Sequence, residues 1–191
     1  MIDLFKKIIH KNSFLKIFIL LPILLLSTES FTTVNQANAG FEIQWDDDGY
    51  YKKLKWFQKN NQRRARNTIF FFLRPSDRKT GLLKINIKIP ENFDSSLKPE
   101  KIALCQVKIG GFESRTECIK EIPADIELNQ DNTSLDIYPF DPIPSDNQSY
   151  AVVFKIFNPK RTGLYQFHAT GQASGKIPIS NYLGSWTIVI D

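Results

Sequence analysis

Leu83-Lys84-Ile85-Asn86-Ile87-Lys88-Ile89 decides the fold class. Apolar and polar residues alternate along it, the period of a strand with one face buried. Pro90, which cannot donate to a ladder, closes the run. Outward from it, residues 68–73 (TIFFFL) form a nearly uninterrupted apolar run of strand length, as expected for a strand covered on both faces. Residues 102–109 and 116–122 flank Gly110-Gly111, and Leu135 and Ile137 alternate with Asp136 and Tyr138. Residues 150–157, 164–170 and 185–190 complete the set, the last with Trp186, Ile188 and Ile190 facing the core. Pro139, Pro142 and Pro144 make a stiff connection that cannot donate to a sheet.

Strands recurring every ten to fifteen residues, with turns between and no long helical pattern, predict an all-β antiparallel sandwich. Tyr165 follows a turn and stands two residues before the core position Phe167, where immunoglobulin-like sandwiches carry a tyrosine corner. An immunoglobulin-like sandwich is therefore expected over residues 67–191, with a jelly roll as the other arrangement. Asn158-Pro159 ends one strand and Gly163 turns into the next, while Gly171, Gly175 and Pro178 shape the connection before the last.

Cys105 and Cys118 lie symmetrically about Gly111-Phe112. Counting inward pairs Val107 with Thr116, Ile109 with Ser114 and Gly110 with Glu113, leaving a two-residue hairpin loop with Gly first. The two cysteines would then be directly opposed, near the separation a disulfide needs.

An oxidising compartment is consistent with the first 39 residues. Lys6, Lys7, Lys11 and Lys16 precede an uncharged apolar run at residues 17–26, and Ala37-Asn38-Ala39 is a small-x-small cleavage pattern. The ten apolar residues cover about half of a ~30 Å hydrocarbon core, which favours a cleaved signal peptide over a retained anchor. No Cys precedes position 105, which excludes lipoprotein processing. The destination is the periplasm, the cell exterior or the thylakoid lumen. Of the 25 basic and 20 acidic residues, the signal carries the four Lys with Asp3 and Glu29; 21 and 18 remain, a net charge of +3. That is too mild to predict a nucleic-acid partner.

Residues 40–66 read as a basic-aromatic arm, free or as a short helix. Lys52, Lys53, Lys55, Lys59, Arg63, Arg64 and Arg66 follow Asp46-Asp47-Asp48 with no acid between, interleaved with Tyr50, Tyr51, Leu54, Trp56 and Phe57. Such a patch suits anionic lipid or acidic polysaccharide, and as a solvated surface it needs no ligand. The acidic triplet lacks the spacing of a calcium loop. His168 is the one His left after cleavage, so a zinc site of two Cys and two His goes with the signal. A Ser-His-acid triad would have to use His168, which falls on an outward strand register. Gly171-Gln-Ala-Ser-Gly175 has its Ser one place late for a nucleophile elbow, and no phosphate-binding loop is present. Glu113 with Glu117, or Asp141 with Asp146, are candidate carboxylate pairs for glycoside hydrolysis. No metal and no cofactor are expected.

The stretch from Pro142-Ile-Pro through Phe157-Asn-Pro-Lys-Arg-Thr-Gly-Leu-Tyr-Gln-Phe to Tyr182-Leu-Gly resembles the cyanobacterial exported proteins classed as domain of unknown function 2808. The resemblance rests on Pro142, Pro144, Asn158, Pro159, Gly163, Tyr165, Phe167, Tyr182, Leu183 and Gly184, with Ile87-Lys-Ile-Pro-Glu-Asn92 as a strand end. It covers about residues 68–191; the hairpin cysteines and the basic arm depart from its pattern. It implies an exported protein with no assigned activity and carries over no catalytic residue. The expectation is a non-enzymatic exported sandwich that binds a protein or envelope component. The other readings are a module for acidic polysaccharide or anionic lipid through the arm, and a hydrolase.

Overall fold

The computed structural model describes residues 52–112, 114–175 and 179–191. The signal peptide assigned to residues 1–39, the first part of the arm (40–51), Glu113 and Pro178 lie outside the described residues. The chain divides into two compact units, Met1–Ala37 and Asn38–Asp191, and the described residues all belong to the second.

The alternation that opened the sequence builds β3 (Leu82–Lys88), and the TIFFFL run builds β2 (Arg66–Leu73). The other strands are β1 (Trp56–Gln58), β4 (Ile102–Lys108), β5 (Glu117–Ile122), β6 (Ala124–Leu128), β7 (Ser134–Pro139), β8 (Ser149–Phe157), β9 (Gly163–Ala173) and β10 (Ser180–Ile190). They form two antiparallel five-stranded sheets, β1-β2-β8-β4-β5 and β10-β9-β3-β7-β6. Short 3-10 turns at Pro75–Asp77 and Pro99–Lys101 are the helical elements among the described residues.

The core lies between the sheets. Phe71 is its centre, with ring centroids 5.1 Å from Phe154, 4.9 Å from Phe167 and 4.9 Å from Trp186. These tilted and edge-on contacts add to the area that the rings bury. The Trp186 indole N–H donates to the Phe72 carbonyl at 3.1 Å, a polar tie from one sheet to the other. The Tyr165 hydroxyl donates to the Arg161 carbonyl, four residues upstream, at 2.8 Å. This is a tyrosine corner, and the domain is an immunoglobulin-like sandwich.

Four details differ from expectation. In β3 a register irregularity between Leu82 and Lys84 puts Leu82, rather than Leu83, in the core. β6 is a separate strand; Pro123 breaks the run after β5, and the chain then steps from one sheet to the other.

The described part of the arm is not free and not helical. Leu54 and Trp56 are buried in the core and Phe57 turns to the other face, a period of two, so residues 56–58 pair as β1 with β2. Gln58 Nε2 donates to the Val189 carbonyl at 2.8 Å, and Leu54 N–H to the Ser185 carbonyl at 2.8 Å, which ties the segment to β10. Gly184 (φ +143°) is required there. A Cβ on it would stand 2.6 Å from both the Leu54 side chain and the Lys52 carbonyl. Gly171 serves similarly, leaving room for the side chains of Leu82 and Leu183.

Cys105 and Cys118 form a disulfide with Cα atoms 5.5 Å apart. They are not directly opposed: Cys118 pairs with Val107 and Cys105 with Glu121. A bulge between Gln106 and Val107 accommodates Ile119 as an extra residue, and a loop wider than two residues closes the hairpin. The Gly111 N–H donates to the Ser114 carbonyl and the Gly110 N–H to the Thr116 hydroxyl. Strand β5 is an edge strand exposed along nearly its whole length, so little apolar burial holds it. Replacing both cysteines by Ser is predicted to cost about 3 kcal/mol in equilibrium urea unfolding. A loss below about 1 kcal/mol would show that the ladder alone holds β5.

Candidate anion-binding end of the sandwich

Two buried amides organise one end of the molecule. Asn67 lies in β2 and Asn158 directly follows β8; the register Arg66 to Phe157 brings them together. Asn67 Nδ2 donates to Asn158 Oδ1 at 2.9 Å. Asn67 Oδ1 accepts the backbone N–H groups of Lys59 (3.1 Å) and Asn60 (3.0 Å). Asn158 Nδ2 donates to the carbonyls of Asn60 (3.0 Å) and Gln62 (2.8 Å). Backbone bonds from Asn158 to Ala65 and from Arg64 to Pro159 complete the clasp. The β1–β2 loop is thereby fastened to the β8–β9 turn. Arg64 is held at φ +58°, a conformation that a side chain disfavours.

The backbone of this end is fixed inward and its charges point outward. Lys59, Arg63 and Arg64 from the first loop, Arg66 at the start of β2, and Lys160 and Arg161 from the second loop are all exposed. The Arg66 guanidinium lies 5.6 Å from the centroid of Phe157, a ring 58% exposed. Two carboxylates share this end, both engaged with the scaffold. Asp94 accepts the Lys160 N–H at 2.9 Å, and Asp191 accepts the Asn61 side-chain amide. Gly163 (φ +147°) turns the chain into β9, where burial first, and then the Asp94 charge, push the Tyr165 hydroxyl above its usual pKa.

The seven cations of the arm therefore divide. Lys59, Arg63, Arg64 and Arg66 stand at this end. Lys52, Lys53 and Lys55 do not: Lys52 Nζ donates to the Asp77 carbonyl at 2.9 Å, Lys53 bridges Ser185, and Lys55 accepts the Phe72 N–H at its carbonyl. Lys160 and Arg161 were missed by sequence reasoning. They lie nearly a hundred residues away, and only the β2–β8 register brings them in.

His168 Nδ1 is 2.7 Å from Ser185 Oγ, which also meets the Tyr182 hydroxyl at 2.5 Å. The pair is poorly built for acyl transfer. Ser185 is 3% exposed, and its N–H is given to the Lys52 carbonyl rather than left for an oxyanion. A shallow depression of about 310 Å³ beside His168 is lined by Lys88, Glu91, Leu164 and Gln166. Asp146 is bound to Arg78 and the Tyr150 hydroxyl, each at 2.9 Å, in a clamp for the Pro-rich connection. Among the described residues, no three His, Cys, Asp or Glu side chains group as metal ligands.

The architecture and this end define an immunoglobulin-like sandwich with a clasped basic loop pair. The chain belongs to the family described as "Protein of unknown function (DUF2808)", which it matches over residues 47–190. The matched span begins inside the arm, in keeping with the packing of residues 52–58 on the sandwich. No curated protein matches the chain. Among solved structures it is similar to BslA, a bacterial hydrophobin, with TM-score 0.46 and 11% identity over 75% of this chain and 97% of that one. It is also similar to a collagen-binding domain from a Staphylococcus aureus adhesin, with TM-score 0.40 and 10% identity over 72% and 95% of the two chains. A protein from Nocardia farcinica with an immunoglobulin-like fold gives TM-score 0.38 and 11% identity over 72% and 97%. At these scores the likenesses carry nothing about function.

Asn158→Ala leaves the Asn67 amide and two loop carbonyls without their partner. It is predicted to cost about 2–3 kcal/mol in urea unfolding, against less than about 0.5 kcal/mol for the exposed Lys59→Ala. Equal losses in the two variants would dissolve the clasp.

Proposed function

We propose that the protein is an exported, non-enzymatic binding module that holds an acidic polysaccharide of the cell envelope on its basic end. The observation that carries this reading is the convergence of Lys59, Arg63, Arg64, Lys160 and Arg161, from two loops fastened by Asn67 and Asn158, with Arg66 at the start of β2. Fixing the backbone beforehand reduces the ordering cost that a ligand meets on binding. Planar guanidinium groups match carboxylates or sulfates by paired hydrogen bonds, and the exposed Phe157 ring beside Arg66 offers a flat apolar surface to a sugar. Export is supported by the basic, apolar and small-x-small order of residues 1–39 and by the disulfide, a bond that oxidising compartments favour. Among the described residues, no helix is long and apolar enough to cross a membrane.

Binding through exposed charges is screened by salt. The mature protein is predicted to bind immobilised polygalacturonate at low ionic strength and to release it as salt rises, with neutral dextran unbound. Replacing Arg63, Arg64, Arg66 and Arg161 by Ala should weaken binding at least tenfold, while Lys108→Ala with Lys120→Ala, on the disulfide hairpin, should not. Undiminished binding by the fourfold variant would overturn the reading. Equal binding to anionic vesicles would assign the end to charged surfaces in general.

A further inference from the structure

The exposed cations do not stop at the loops. Val153 faces outward on β8, in the apolar cluster beyond the β2-containing sheet, so Lys155 and Phe157, two and four residues on, share that face. Both are exposed. The register sets Arg66 opposite Phe157, with its guanidinium 5.6 Å from the ring, and Thr68 opposite Lys155. Lys101, also exposed, immediately precedes β4, where Ile102 pairs with Phe154, so it stands next to Lys155 on the other side. Arg66, Phe157, Lys155 and Lys101 thus form a row that starts at the basic end and crosses from β2 to the start of β4. The ion pairs of Arg74, Arg78 and Lys84 involve none of these residues. Glu100, in the turn that holds Lys101, is the acid beside the row. The other sheet is less suited to a polyanion: Glu91 is exposed just after β3, and Asp125 and Glu127 are exposed along β6.

We propose that the acidic polysaccharide continues from the basic end along this row, with carboxylates against Arg66, Lys155 and Lys101 and a sugar ring on the face of Phe157. This path presupposes the polysaccharide reading of the basic end and adds the direction in which the polymer leaves it. The order cation, ring, cation matches a uronate chain, in which each sugar has apolar C–H faces and projects a carboxylate from its edge. The distances suit a short stretch of such a chain. Alternate residues of a strand are about 7 Å apart and neighbouring strands about 5 Å, so the path from Phe157 through Lys155 to Lys101 covers about 12 Å. Past Lys155 the same face turns apolar at Val153 and Phe70, which leaves Lys101 as the continuation for a charged ligand. Each exposed contact is weak alone, but contacts in line on one chain reinforce each other, because the first raises the local concentration of the next.

Two double variants that remove the same charge separate contact along the row from a general attraction. In titrations of the mature protein with octagalacturonate at low ionic strength, Lys101→Ala with Lys155→Ala should weaken binding about fivefold or more. Lys108→Ala with Lys120→Ala, on the disulfide hairpin, should leave it unchanged. All four side chains are exposed, so the urea midpoints should stay in place and show that the fold is intact. Unchanged octamer binding by the Lys101 and Lys155 variant would overturn the row, and so would equal losses in the two double variants, which would report only the net charge. In either case a loss in the fourfold arginine variant would leave the basic end standing without the row. An octamer that binds the fourfold variant undiminished, or does not bind the unsubstituted protein, would remove the reading of the basic end and the row with it.

Discussion

The hydrogen bond between the side chains of Asn67 and Asn158, ninety-one residues apart, is the contact on which the proposed binding end depends. A buried amide without partners costs free energy, so each of these must find several partners or destabilise the fold. Asn67 satisfies its carbonyl with two loop N–H groups, and Asn158 satisfies its amide with two loop carbonyls. The outcome is a loop whose backbone is fixed by the interior while Lys59, Arg63 and Arg64 stand exposed and Arg66 lies against the Phe157 ring. The turn residues of the family pattern acquire a physical meaning from this arrangement. Asn158 is the clasp, Pro159 accepts the Arg64 N–H, and Tyr165 holds the Arg161 carbonyl.

The same division between a fixed scaffold and outward chemistry runs through the sandwich. Strands β2, β8 and β4 contribute to buried apolar clusters on both faces, whereas β3, β9 and β10 contribute to the buried cluster between the sheets alone. The exposed edge strand β5 is fastened by a disulfide to Cys105 in the drier cluster. At the other edge, β10 is covered in part by residues 52–54, an approach that a side chain on Gly184 would block.

Much of this was legible in the sequence because it is local. Alternation in residues 83–89, the nearly unbroken apolar run in 68–73, the cysteines about a Gly-Gly turn and the tyrosine after Gly163 each signal through neighbours in the chain. What was lost is what neighbours do not encode. Inward counting from Gly111-Phe112 assumes a regular ladder, and the bulge at Ile119 moves Cys118 out of direct opposition with Cys105. In the arm, the charges drew attention away from Leu54, Trp56 and Gln58, whose alternation marks a strand too short to stand out. The basic end was half legible. Four of its cations lie in one run, but Lys160 and Arg161 join them only through pairing of β2 with β8.

The account is tested most directly by following the arginine side-chain N–H signals in a nitrogen-15 NMR titration of the mature protein with oligogalacturonate. The signals of Arg63, Arg64, Arg66 and Arg161 should move together with one saturation curve, while buried Arg78, held by Asp146, stays in place as an internal reference. Movement confined to Arg115 on the disulfide hairpin, or no movement at all, would contradict it.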